Sequence, residues 1–99
     1  MTAKLLRIRS DAQEEINSAF ECYFQRNPAL AGAFLAEVEN AMKKIVAHPQ
    51  IHSPYTKSTR KCRLDRFPYA VIFREYADTI LVIAVSHGKR RPAYWARRI

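Results

Sequence analysis

Thr79-Ile-Leu-Val-Ile-Ala-Val-Ser86, running into His87-Gly-Lys-Arg-Arg-Pro-Ala-Tyr-Trp-Ala-Arg-Arg-Ile99, decides how this chain folds. Ile80 to Val85 is an unbroken apolar run, rich in β-branched side chains and too short for a buried helix. It reads as a strand covered on both faces, the middle of a sheet. Within three residues of its end the sequence turns cationic, with His87, Lys89, Arg90 and Arg91, and Gly88 leaves the backbone free to turn.

Upstream of it the pattern has period two. Tyr69-Ala-Val-Ile-Phe-Arg-Glu75 is a strand with Pro68 just before it, where a proline does little harm, and Tyr76-Ala-Asp-Thr79 is the hairpin turn. Arg60-Lys-Cys-Arg-Leu-Asp65 is a basic strand, Arg66-Phe-Pro68 a break, and Pro49 to Thr59 a loop. Earlier still, Asn27 caps and Pro28 opens a second helix that buries Leu30, Phe34, Val38, Ala41, Met42 and Ile45 until Pro49 ends it. A first helix, Asp11 to Arg26, is read as capped by Ser10 with Gln13 and buries Ala12, Ile16, Ala19, Phe20, Tyr23 and Phe24. Lys4-Leu-Leu-Arg-Ile-Arg9 alternates as a half-exposed strand does. The expected fold is α+β: an N-terminal strand, an antiparallel helical hairpin, then a three-stranded antiparallel meander. Together they make one mainly antiparallel sheet with helices on one face and the other face free.

The chain has 99 residues, 48% of them hydrophobic, which suits a single domain over residues 1–99. Cys22 and Cys62 lack C-x-x-C spacing and read as reduced, buried thiols of a cytoplasmic protein. No apolar run approaches the roughly 20 residues of a membrane helix, so no membrane partner is expected. His48 and His52 have no third ligand at metal spacing, and two glycines are too few for a phosphate-cradling loop, so neither metal nor cofactor is expected.

The formal net charge is +8, and it is one-sided. Six basic and six acidic residues cancel within positions 1–50, whereas positions 51–99 carry eleven basic residues against Asp65, Glu75 and Asp78. Such asymmetry points to a polyanionic partner. The candidate target-binding residues are Arg60, Lys61, Arg63, Arg66, Lys89, Arg90, Arg91, Trp95, Arg97 and Arg98. Guanidinium groups grip phosphates bidentately, and Trp95 either packs on the sheet edge or stacks on a base. His87, a neutral imidazole among cations, either takes a proton from a hydroxyl or hydrogen-bonds its own turn.

The element order, the Arg63-Leu-Asp-Arg-Phe-Pro-Tyr69 stretch and above all Ala84-Val-Ser-His-Gly-Lys-Arg-Arg-Pro-Ala-Tyr-Trp95 resemble the ParE/RelE superfamily of bacterial type II toxins. The resemblance implies a small basic toxin neutralised by a cognate acidic antitoxin in a hetero-oligomer. It offers two targets. ParE-like members poison DNA gyrase and are not nucleases, while RelE-like members cleave mRNA on the ribosome. In the RelE-like branch an arginine follows the tyrosine that opens the third strand, and Ala70 stands there in this chain. The ParE-like reading is therefore favoured. A nuclease would have to use His87, Arg90 and Tyr94.

Overall fold

The computed structural model describes residues 4–99. Strand β1 (Leu5–Ile8) leads into helices α1 (Ser10–Arg26) and α2 (Pro28–Ala47). Then come β2 (Ser53–Pro54), β3 (Arg60–Arg63), β4 (Tyr69–Glu75) and β5 (Thr79–His87). They form one five-stranded sheet in the order β1-β5-β4-β3-β2, in which only the β1–β5 pair is parallel. This is the expected α+β architecture, with two refinements. The segment read as a loop contributes β2, two residues paired with Arg60 and Lys61, so β4 rather than β5 is central.

The two helices are joined by Asn27 alone. Its side-chain oxygen accepts from the Ala29 N–H at 3.0 Å, as a cap before Pro28 should. The expected Ser10 cap is absent. Ser10 is already helical, Arg9 is the boundary residue, and Gln13 donates its backbone N–H to the Arg9 carbonyl while its side chain reaches Asn17.

Both helices bury their stripes against one face of the sheet. Ala12, Ile16, Ala19, Phe34, Val38, Ala41 and Ile45 meet Val71, Phe73, Ile80, Val82 and Val85. The stripe is narrower than the sequence reading, since Phe24 and Leu30 are exposed near the hairpin tip. Phe67, read as part of a break, is buried edge-on to Tyr23 and Phe34 with centroids 5.1 and 5.4 Å apart. Above it Glu37 of α2 accepts the backbone N–H groups of Asp65 and Arg66 and the Arg66 guanidinium at 2.7 Å, locking the β3–β4 loop to the helix.

The opposite face is not free, as expected, but half covered. The arm after β5 folds back over it, and Trp95, 1% exposed, packs on Ala70, Ile72, Ile83 and Ala84. A bulge in β5 decides which residues meet the arm. Ile72 pairs with Ala84 but Phe73 with Val82, so Ile83 is the extra residue, and Ile83 and Ala84 both lie on the arm side. Beyond the bulge the alternation is reversed, leaving Val85 toward the helices. The one left-handed residue of the arm is Ala93, at φ 55°, and neither glycine has positive φ. Free turning at Gly88 is not what the backbone uses.

Both cysteines are free thiols, but Cys22 is exposed rather than buried. Burial pushes the Cys62 thiol up from its ordinary pKa.

Candidate functional site

On the arm side, strand register lines up Arg63, Ala70 and Ser86 across three strands, and Lys61 lies beside Ile72. Small side chains in the middle and long ones at the sides leave a groove of about 430 Å3. Lys61 and Arg63 form one wall; Arg90, Arg91 and the arm to Trp95 form the other; Tyr55 contributes from the β2 side. No acidic residue lines it. Lys61, Arg63, Arg90 and Arg91 have no ion-pair partner among the described residues.

Two of these cations rest on aromatic rings. Lys61 Nζ stands 4.1 Å from the Tyr55 ring centre, and Arg90 Cζ stands 3.8 Å from that of Tyr94. Such stacking holds a flexible cation in place without neutralising it. Trp95 supports the groove from within the core and offers no exposed face for a base to stack on.

The other sequence candidates lie elsewhere. Arg60 faces the helical side and donates to the His52 carbonyl at 2.9 Å. Arg66 is bound to Glu37. Lys89 and Arg97 are exposed but outside the groove. Arg98 corrects the expectation that it extends the basic surface. Its guanidinium donates to Glu15 Oε1 at 3.0 Å, to Glu15 Oε2 at 3.2 Å and to the Ile83 carbonyl at 3.0 Å, and it lies 3.4 Å from Asp11. Parallel pairing with β1 ends at Val82, which leaves the next stretch of the β5 edge open. Side chains close it: Arg98 satisfies the Ile83 carbonyl, and Glu15 accepts the Val85 N–H at 3.0 Å.

His87, Arg90 and Tyr94 do come together, in an open depression of about 510 Å3 on the α1 side that Glu15 and Arg98 also line. His87 and Tyr94 are both held by hydrogen bonds within the fold. Nδ1 of His87 accepts the Lys89 N–H at 3.0 Å, so in the neutral ring the proton sits on Nε2 and the one basic nitrogen is occupied. The Tyr94 hydroxyl donates to Glu15 Oε2. Burial first, and then this bond to a carboxylate, push its pKa up to about 12. Ala70, where the resemblance asks for an arginine, is buried on the groove side.

Glu15 and Asp11 were missed as site-builders. The signal was present: two carboxylates four apart on a helix beside a buried stripe call for a basic partner across the interface.

A family described as the ParE toxin of the type II toxin–antitoxin system parDE matches residues 6–92. Toxin ParE2 of Mycobacterium tuberculosis, in strains CDC 1551 / Oshkosh and H37Rv, is 27% identical over 88 residues, 88% of this chain and 84% of that one. A chain of the chromosomal ParDE TA system from P. aeruginosa superposes with a TM-score of 0.77 at 16% identity, covering 86% of this chain and 96% of that one. The structural likeness, at that identity, speaks for the fold alone. With the expected element order, the strand-end cations and a family match that runs from β1 into the arm, the chain belongs to the ParE toxins of type II toxin–antitoxin systems.

Proposed function

We propose that this ParE-type toxin acts in the cytoplasm as a poison of DNA gyrase, with the basic groove as its target-binding surface and a cognate acidic antitoxin as its inhibitor. One observation carries the reading: four unpaired cations line a groove that holds no carboxylate, in a chain whose half-buried Arg98 is paired with Glu15. A surface that leaves so much like charge uncompensated is built for an anionic partner. The partner that silences it adds the acidity that positions 51–99 lack. No described helix is long and apolar enough to cross a membrane, which suits a soluble target.

The ribosome-dependent nuclease reading has less support. It needs a base, a phosphate-stabilising arginine and a free acid. The residues available are His87 with Nδ1 occupied, Ala70, and a tyrosine whose hydroxyl is held by Glu15. Losing one transition-state donor costs about 100- to 1,000-fold in rate.

The test is a supercoiling assay with purified toxin and gyrase, alongside mRNA in programmed ribosomes. Inhibition with trapped cleavage complexes, abolished by adding the antitoxin, is the expected result. Normal supercoiling at toxin levels that arrest growth would refute the reading, and cut mRNA would replace it with the nuclease.

A further inference from the structure

The groove's rings are as informative as its cations. A site that reads single bases by stacking needs an exposed aromatic face. Here the Tyr55 ring is covered by Lys61, the Tyr94 ring by Arg90, and Trp95 is buried. What remains available is charge: one ammonium and three guanidinium groups on opposite walls. Lys61 and Arg63, alternate residues of one strand, are spaced roughly 7 Å apart along it. The floor between the walls, Ala70 and Ser86, is too small to obstruct a chain lying along the groove.

We infer that the groove grips the phosphodiester backbone of DNA, without reading its sequence, so that the toxin holds the DNA within the gyrase–DNA complex rather than an acidic segment of gyrase. This deepens the target-binding reading above and rests on it. Guanidinium forks match phosphate oxygens bidentately, and three of the four cations are arginines. Each cation that meets a phosphate releases a counterion, so affinity must fall steeply with salt.

The test uses the purified full-length toxin and fluorescein-labelled 20-base-pair duplexes, one A·T-rich and one G·C-rich, titrated by anisotropy from low to moderate salt. Single-stranded RNA of equal length and poly-glutamate serve as further probes. The two duplexes should bind equally. Log K should fall with log salt at a slope of roughly −3.6 if all four cations engage, at about 0.9 per phosphate neutralised. Lys61→Gln and Arg63→Gln together should flatten that slope by about 1.8, while Arg26→Gln, an exposed cation outside the groove, should leave it unchanged. Circular dichroism confirms that each variant is folded.

Preference for one duplex by about fivefold or more, the effect of a single base contact, would overturn the claim of sequence-blind binding. Equal flattening by Arg26→Gln would assign the binding to overall charge and overturn the groove. Capture of RNA or poly-glutamate with no duplex binding would overturn DNA as the ligand. The failures separate cleanly. If supercoiling inhibition depends on Lys61 and Arg63 but duplex binding is absent, the inference falls and the gyrase reading stands. If duplexes bind and gyrase is unaffected, the gyrase reading falls.

Discussion

Two regions of this molecule that hold arginines put the same side chain to opposite uses. In the groove, Arg63, Arg90 and Arg91 have no ion-pair partner among the described residues. At the β5 edge, Arg98 is 17% exposed, meets both oxygens of Glu15, approaches Asp11 and satisfies the Ile83 carbonyl. Arg9 adds to this edge, donating to the Arg98 carbonyl at 2.7 Å and to Asp11 at 2.9 Å. One region is fastened and the other is left open. Charge stays available to a partner only where the fold withholds its counter-charge, and substitutions on either side of that contrast test it.

The largest effect is expected at Glu15. Glu15→Ala leaves the Arg98 guanidinium, the Val85 N–H and the Tyr94 hydroxyl without their shared acceptor in a mostly buried place. Removing one partner of such a pair costs about 3 kcal/mol, which for a domain of this size lowers Tm by roughly 12–24 °C. Urea and thermal unfolding measure it. A loss below about 1 kcal/mol would mean that solvent replaces the latch and would erase the contrast between the two regions. The double variant with Arg98→Ala should cost much less than the sum of the singles, because both remove the same interaction.

Tyr94→Phe is expected to cost about 1.5 kcal/mol, since it deletes one hydrogen bond to a charged acceptor and keeps the ring beneath Arg90. Its pH dependence sharpens the point. The Tyr94 pKa rises from about 10 to about 12 on folding, so the neutral hydroxyl is favoured in the native state. That contribution is complete below pH 10 and is lost as pH climbs from 10 through 12. The unmodified chain should therefore weaken over that window more steeply than the phenylalanine variant. Burial also raises Tyr23 and Tyr69, so a shallower slope remains in the variant.

At the acid end the sign is reversed. For Glu37 burial acts upward, but the Arg66 and Asp65 hydrogen bonds outweigh it and hold the carboxyl below its usual range; the Arg9 hydrogen bond does the same for Asp11. Their stabilising effect is present above about pH 4 and fades as pH falls through their lowered values.

Ala93→Gly comes next, and it should stabilise. A left-handed alanine costs roughly 1–2 kcal/mol, against about 0.5–1 kcal/mol for the extra freedom glycine gains when unfolded. A net gain of a few tenths to about 1 kcal/mol is expected in urea unfolding. A loss would show that the alanine methyl, which packs near Trp95, matters more than the backbone.

The fold was legible because its signals are local and periodic. The period-two runs, the two helical stripes and the Asn27-Pro28 junction each name their element without help from the rest of the chain. Less legible was whatever depended on partners distant in sequence. Nothing near Arg98 announces that Glu15, 83 positions away, will claim it, and nothing near Arg66 announces Glu37. The bulge at Ile83 was equally hidden, because an all-apolar run shows no change of alternation when one residue is inserted. Hence the cations proposed from the sequence are gathered only in part by the fold. Lys61, Arg63, Arg90 and Arg91 share the groove, while Arg60, Arg66 and Arg98 are tied to other parts of the fold.

The smallest expected effect completes the contrast. Arg63→Gln removes an exposed guanidinium that has no ion-pair partner among the described residues, so its stability change should stay within about 0.5 kcal/mol of zero. The direction is informative. Arg63 shares a groove with three other cations, and relieving that repulsion pushes toward a slight gain, larger at low salt where screening is weak. Growth arrest on expression should nevertheless weaken, because the partner loses a contact that the fold never needed. If Arg63→Gln instead destabilised by more than about 1 kcal/mol, an unseen structural role would be established, and loss of toxicity in that variant would no longer speak for a binding surface. Stability retained and toxicity lost at Arg63, beside stability lost at Glu15, is the pattern that only an open site next to a closed latch produces.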